Sequence, residues 1–594
     1  MEKITSIIAK IIAPLTIVAG ALLLGLHLQA EQAYMFFYRE AQQLLFLEWD
    51  YIWDLMMQFG GVGITIAQSL VQFFIHPGVG ATVTALLAGT SVALLWLALR
   101  KMCNCKALLP LLFAPALMWA LYLATAYYHY DGLVALTAMA LVLWVYTLFV
   151  EAGYKLRLAM GTLLSVTLYL LFGPVGLLFA VCALLFDLAK GSEKWYLDLI
   201  YVALLLVAGS YLVSNGKVAD FETAYGTKFY YEFYVELTPF LNAWWWIVLA
   251  IVAAFLALSF VKNIPAWGSA LTYVVLALAV AGLYIQRHDV EKKEKENIYT
   301  YMQLYHNIVN EQWEEITSNR NVNYQIPLHS NCVNFALSKQ GLLLDKLFLY
   351  PQNGLASLFN ENMGTFVEEH SIYSEIYYHL GIVSQTLELS LVAMAGSYPG
   401  TPLLLQQFVR SRVVMGDYDL AGKFVYRLSK TYGYRDWALR QQGFLHNDAA
   451  VEADAEYGLK RRTLPELSSE FVSLNGFIYD LMKVLTANPE NNVAREYAIA
   501  ALLLNKNFDD IRYFVEEYYG TPILPTLHER LQEAVVTYAE KDMDYCRRYG
   551  VSEQTISRFA QFRQKVLTLR HQRQTANPKS QLPEFRDTFW FYML

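Results

Sequence analysis

The feature that most constrains this chain is a series of apolar runs in its first half, each long enough to cross a bilayer. A spanning helix needs about 20 apolar residues, and inside lipid a helix satisfies its own backbone polar groups. Such runs lie at Ile11–Leu28, Gly78–Leu99, Ala107–Tyr127, Leu133–Phe149, Leu158–Leu188, Leu197–Val213, Leu241–Val261 and Ala266–Ile285. The chain therefore reads as all-α: a polytopic membrane domain over residues 1–286, then a soluble part. Charge marks the same division. Residues 1–286 hold 13 Lys/Arg and 15 Asp/Glu, against 32 and 37 in the remaining 308. Neither part is strongly basic, so no nucleic-acid partner is expected. The five cysteines form no disulfide framework and no paired zinc knuckle.

Two runs carry alternatives. Ile11–Leu28 follows a short leader with Lys3 and Lys10, and a cleaved signal peptide is its rival reading. Leu158–Leu188 is too long for one upright span and is broken by Phe172-Gly173-Pro174-Val175-Gly176. It is either one kinked helix or a hairpin of two. Lys155 and Arg157 precede it, and Lys190 and Lys194 follow it. Cytoplasmic loops collect such residues, so both ends belong inside and the hairpin is favoured. That gives about nine crossings. Loops 30–77 and 215–240 are then outside, and so is the C-terminal part.

Within loop 30–77, Ala33–Leu47 and Tyr51–Phe59 carry aromatics and leucines at helical spacing among charges, as helices lying in the interface do. Gly60-Gly61-Val62-Gly63 breaks them, and Ile64–Ile75 is apolar again. Loop 215–240 is rich in tyrosine and precedes Trp244-Trp245-Trp246, which suit an interfacial belt.

A charged joint, 287–297, leads into residues 298–594. Helical periodicity dominates there. Cys332–Lys339 turns at Gln340-Gly341 into Leu342–Phe348. Leu403–Met415 turns at Gly416-Asp417 into Tyr418–Thr431. Ala494–Leu504 turns at Asn505-Lys506-Asn507 into Phe508–Tyr519. Helix pairs of this kind, opened by Thr401-Pro402 or Asn488-Pro489, suggest a degenerate tetratricopeptide-like solenoid that would hold a protein or peptide partner. A plain helical domain is the simpler alternative.

Candidate chemistry is concentrated in the first outer loop. No phosphate-binding loop and no His-Glu-x-x-His pair occurs. Cys103-Asn104-Cys105 is a weak metal signal, and Asp187 and Glu151, near span ends, are expected to face the headgroups. Glu31, Glu40, Glu48, Asp50 and Asp54 lie at or beside the membrane surface, with Asp50 and Asp54 on one helix face. One such carboxylate could act as a general base or hold a divalent cation, magnesium or manganese.

The order of parts resembles the C-type (GT-C) glycosyltransferases: one span, a large acidic outer loop, many spans, then an outer helical domain. That resemblance implies transfer of a sugar or oligosaccharide from a polyprenyl phosphate donor at the outer face of a bacterial cytoplasmic membrane. Those enzymes show an acidic motif early in the first outer loop, where this chain has Glu31 without an acidic neighbour. Over nearly its full length the chain also resembles an uncharacterised family of multi-span proteins from Bacteroidetes. The stretches are Leu70-Val71-Gln72-Phe73-Phe74, Pro77-Gly78-Val79-Gly80, Asn334-Phe335-Ala336-Leu337 through Gln340-Gly341, Tyr350-Pro351-Gln352, Tyr377-Tyr378-His379-Leu380-Gly381 and Tyr434-Arg435-Asp436-Trp437-Ala438. The other class of function is a non-catalytic scaffold for an envelope assembly. A transporter would want ionisable residues in mid-span, and the runs have few.

Overall fold

The computed structural model describes residues 2–103, 106–123, 129–149, 151–192, 194–231, 243–260, 291–359, 367–396, 401–464, 476–571 and 578–594. Every regular element among them is helical, and extended backbone pairs only in an isolated bridge between Tyr519 and Leu524. The chain divides into two compact units: Met1–Met302 with Lys430–Gly433, and Gln303–Ser429 with Tyr434–Leu594.

Unit 1 comprises α1 (Glu2–Glu31), α2 (Ala33–Gln42), α3 (Trp49–Met56), α4 (Gly61–Val71), α5 (Val79–Leu99), α6 (Ala114–Leu123), α7 (Asp131–Tyr146), α8 (Tyr154–Phe172), α9 (Val175–Ala189), α10 (Leu199–Ser214), α11 (Phe221–Tyr225) and α12 (Ala243–Ser259). Among the described residues, five helical stretches are long and apolar enough to cross a membrane: Ala13–Glu31, Val79–Leu99, Asp131–Phe149, Tyr154–Phe172 and Trp195–Ser214. Gly61–Ile75, Leu108–Trp119, Val175–Ala189 and Trp244–Ser259 are shorter apolar helices. The expected span Ala266–Ile285 lies outside the described residues.

Helices α5 and α7 pack together, with α1 against α5 and α9 against α7. Small residues permit the α1–α5 approach. A Cβ on Gly89 would stand 2.9 Å from that of Ala21, and one on Gly25 would stand 3.1 Å from that of Ala85. Close backbone approach through small residues is how helices associate where the surroundings are as apolar as the side chains. Leu15, Leu22, Leu23 and Leu26 of α1 and Leu204, Leu206 and Val207 of α10 are exposed, an apolar surface suited to hydrocarbon.

The long run at 158–188 folds as two helices, α8 and α9, joined at Gly173 (φ +82°) and Pro174. Their far ends meet. Arg157 Nε lies 2.8 Å from Asp187 Oδ2, and Arg157 Nη2 donates to Ser192 Oγ at 2.7 Å. Asp187 therefore does not face headgroups as its place near a span end suggested. Its side chain is 1% exposed and ion-paired, because a carboxylate withdrawn from water needs a partner.

Two other expectations change. Ala33–Leu47 is not one interfacial helix: α2 ends at Gln42 and buries Met35, Phe36, Tyr38, Arg39, Glu40 and Ala41, residues on nearly all its faces. Helix α3 buries none of its residues and exposes Trp49 and Trp53, as an interfacial helix would. Of the three tryptophans, Trp246 is exposed, but Trp244 is fully buried against Trp119, with ring centroids 5.4 Å apart. It belongs to the core.

In unit 2 the helix pairs fold with turns where the sequence places them. Pro402–Met415 starts at Thr401, whose hydroxyl accepts from Leu404 N–H, and ends at Gly416 (φ +79°), before Tyr418–Ser429. Asn492–Asn505 is capped by Asn491 and ends at Lys506 (φ +58°), before Phe508–Tyr518. Val367–Leu380 packs on Val383–Gly396, and that helix packs on Pro402–Met415. At the C-terminal end Glu533 accepts from Phe589 N–H at 2.7 Å and is paired with Arg530, which ties the last helix, Phe589–Met593, into the unit.

Candidate functional site

Helix α2 is short, ten residues, and wedged in place by aromatic contacts. Phe36 packs edge-on against Phe74 (5.4 Å), and Phe74 against Tyr130 (5.1 Å). A Cβ at Gly80 would fall 2.4 Å from Phe36, so this approach needs the glycine. Gln72 Nε2 donates to Gln43 C=O at 2.8 Å, and Tyr130 hydroxyl lies 2.9 Å from Thr84 Oγ1. The segment 72–75 and the starts of α5 and α7 therefore enclose α2.

This enclosure takes Arg39 to 1% exposure and Glu40 to 0%. The Arg39 guanidinium lies within electrostatic reach of His129 and Asp131 at the head of α7. Asp131 is the first residue of α7 and is buried, a place where the helix N-terminus favours a carboxylate. Burial pushes the half-buried His129 imidazole down to about 4, and Arg39 adds to this, so the ring is neutral at pH 7. His129 N–H donates to Tyr230 C=O at 3.0 Å. Tyr230 hydroxyl donates to Phe172 C=O at 2.8 Å and accepts from Val175 N–H at 3.1 Å. The tip of the α8–α9 hairpin is thus tied to the 215–240 loop. Gly60 N–H donates to Leu170 C=O, and Phe59 packs on Phe229 and Tyr169, at 5.3 and 5.0 Å.

The 30–77 and 215–240 loops therefore meet, and their described contact is aromatic. In the second loop Lys228 lies 2.8 Å from Asp220 and 3.3 Å from Glu222 and holds the Asp220 carboxyl down to about 2. Residues 232–240 of that loop lie outside the described residues.

The five carboxylates singled out from the sequence end in different settings. Glu31 closes α1 and is exposed; Asp50 and Asp54 are exposed on α3; Glu48 directly precedes α3 and is half-buried; Glu40 alone is enclosed. Among the described residues no three His, Cys, Asp or Glu side chains gather as a metal site would require. Asn104 and Cys105 of the Cys-x-Cys pair lie outside the described residues.

Reading the sequence missed Arg39, His129 and Asp131. The signal available was His129-Tyr130-Asp131, two ionisable side chains at the head of an apolar run. A groove of about 650 Å³ runs between α1 and the 106–113 segment, lined by Leu15, Gly20, Leu24, His27, Pro110 and Phe113. The arrangement can accept a proton at Glu40 or Asp131 and hold an anion at Arg39.

No curated protein and no solved structure matches this chain. A family model matches residues 7–594, and the chain belongs to that family, DUF6057, a family of unknown function.

Proposed function

We propose that this protein is a membrane glycosyltransferase of GT-C type. It would move a sugar or oligosaccharide from a polyprenyl phosphate donor to an acceptor hydroxyl at the outer face of the bacterial cytoplasmic membrane. In this reading about nine crossings put unit 2 in the periplasm, where its tetratricopeptide-like helix pairs hold a protein or peptide partner. The observation that carries the reading is Glu40, fully buried next to buried Arg39 in a unit rich in apolar helices. Charged groups withdrawn from water within a membrane domain are costly and mark function.

Glu40 takes the proton of the acceptor hydroxyl. The hydroxyl oxygen forms a bond to the anomeric carbon as the bond from that carbon to the phosphate oxygen breaks. Polyprenyl phosphate leaves with the bonding electron pair, Arg39 neutralises its charge, and Glu40 passes the proton to water. Neutral His129 donates or accepts a hydrogen bond without adding charge. The apolar groove along α1 suits the lipid tail.

Glu40→Gln keeps the side chain's size and removes the base. Surface glycans or glycoproteins of the host should fall about 10²–10⁴-fold while the protein level holds. Wild-type glycosylation with Glu40→Gln moves the base elsewhere. A deletion strain with unchanged surface glycans overturns the enzyme. The alternative is then a membrane-anchored scaffold for an envelope assembly, favoured by the stacked helix pairs of unit 2.

A further inference from the structure

Unit 2 contains a pocket of about 540 Å³ where several helix ends meet. Lys339 ends the Pro327–Lys339 helix, His379 stands in the last turn of Val367–Leu380, Lys460 projects from Tyr457–Arg462, and Asn491 caps Asn492–Asn505. All four line the pocket. Glu311, at the mouth, holds φ +53°, a backbone state that disfavours a residue with a Cβ. The bond from Gln312 N–H to Asn307 C=O keeps it there.

A chain of hydrogen bonds runs behind the pocket wall. Lys339 Nζ lies 3.2 Å from His379 Nδ1, and His379 Nε2 lies 2.9 Å from Glu375 Oε1. A lysine ammonium can only donate, so Nδ1 accepts and the imidazole proton is on Nε2, aimed at Glu375. Arg410 Nη1 stands 3.6 Å from the same carboxylate. Lys460 Nζ donates to Tyr378 C=O at 2.6 Å and covers the Tyr378 ring at 4.4 Å, and the Arg410 guanidinium lies 5.0 Å from that ring.

Three half-buried cations, Lys339, Arg410 and Lys460, gather here with one buried carboxylate, Glu375. Glu311, Glu456 and Glu490 also line the pocket and stand exposed; water weakens the field of exposed carboxylates, though Glu456 still acts on Lys460. Basic residues in last turns commonly complement the helix dipole, and Lys339, His379 and Lys460 all stand in last turns. The dipole does not explain why Lys460 is drawn onto Tyr378 near Arg410 and Lys339, all within one cluster.

We propose that this pocket binds a small polyhydroxylated anion, with its phosphate or carboxylate group between Lys339 and Lys460 and its hydroxyls donating to the carboxylates at the mouth. The volume lies within the range of small-ligand sites, about 300–1,000 Å³. Two ammonium groups that repel each other when the site is empty are drawn together by an anion. Burial pushes Lys460 down to about 8, Glu456 and Glu375 oppose this, and Arg410 and Lys339 add to it. Its charged form is the one that binds. The inference does not rest on the transferase reading.

The test is calorimetric titration of the full-length protein in detergent with glucose 6-phosphate, glucuronate, inorganic phosphate and glucose. At least one sugar anion should bind saturably at pH 7, at least about tenfold tighter than glucose. Lys339→Met/Lys460→Met should weaken it at least about tenfold. Preference for glucose 6-phosphate assigns a phosphate ester, and preference for glucuronate a carboxylate. Affinity should fall as pH rises from about 7 to 9, because Lys460 loses its proton through about 8. If the double variant loses its melting transition, Lys339→Met alone and the wild-type pH profile decide. Inorganic phosphate binding as tightly as glucose 6-phosphate overturns the polyhydroxylated ligand. Absence of binding below about 10 mM, or binding that is flat with pH and indifferent to the lysines, overturns the site.

Discussion

Arg39 and Glu40 in unit 1, and Glu375 with half-buried His379 and Arg410 in unit 2, are charged or polar side chains drawn wholly or partly out of water, but different chain geometries bring them there. In unit 2, Glu375 and His379 are one helical turn apart, and Arg410 comes from the Pro402–Met415 helix, which packs on theirs. Every partner is a near neighbour in a stack of helices. In unit 1, α2 is wedged by residues far along the chain, and the groups within its field, His129 and Asp131, follow some 90 positions later. The first plan gives a carboxylate whose pairing outweighs its burial. Burial alone would raise Glu375, yet Arg410, His379 and Lys339 bring it down to about 2. The second plan encloses charge with segments distant in the chain. The contrast is between charge held by neighbouring turns of stacked helices and charge held by a covering that only the whole unit supplies.

The comparison breaks if the two carboxylates respond alike to neutralisation. Glu40→Gln should abolish activity, by about 10²–10⁴, with folding intact. Glu375→Gln should leave that activity in place and loosen the Val367–Leu380 helix, seen as faster hydrogen exchange there. Loss of activity in both, or in neither, removes the distinction. Arg410→Met should be the most destabilising single change in unit 2, at about 3–5 kcal/mol, because it leaves Glu375 buried with too little positive charge. Adding Glu375→Leu should recover most of the loss, and exchange across 367–380 and 402–415 reads both. If the double change is no better than the single, the pair is not what holds these helices together.

Acid should act on unit 2 through Glu375 with a definite sign. Its carboxyl is held below the ordinary value of 4.5, at about 2. The stability it contributes is present above about 4.5 and is lost as pH falls through about 2. Exchange in the Val367–Leu380 helix should quicken over that window in the wild type and change less in Glu375→Gln. A smaller effect is expected where the 30–77 and 215–240 loops meet. Gly60 (φ +70°) would place a Cβ 2.3 Å from Phe229, whereas Gly216 (φ +65°) has open space. Both alanine variants pay the backbone cost of about 1–2 kcal/mol, and Gly60→Ala should exceed Gly216→Ala in the drop of its melting temperature. Equal drops would mean that the Phe229 contact gives way freely. The least effect belongs to Asp50→Asn and Asp54→Asn on exposed α3, within about 0.5 kcal/mol and without change in glycans.

Much of the helical pattern was legible in the sequence. The Gly416 and Lys506 turns fall where small or polar residues interrupt the periodicity, and Gly173-Pro174 divides the long run into a hairpin. The candidate site was legible only as a set. Five carboxylates shared one loop, and nothing in their spacing separated Glu40 from Asp50, because both lie on amphipathic helices of similar composition. The difference is that α2 is covered and α3 is not.

By itself, then, the sequence determined the helical character, the apolar runs and most turns, because these depend on near neighbours: backbone preference, periodicity of 3.6 residues, and the length of apolar chain a bilayer demands. It also set where Gly and Pro interrupt those runs. Only the tertiary structure decided which polar groups lose water. It withdrew Asp187 onto Arg157, put Trp244 into the core against Trp119, enclosed Glu40, and gathered Lys339, His379 and Lys460 around one pocket. Burial and pairing are properties of what covers a residue, and the covering segments come from anywhere along the chain.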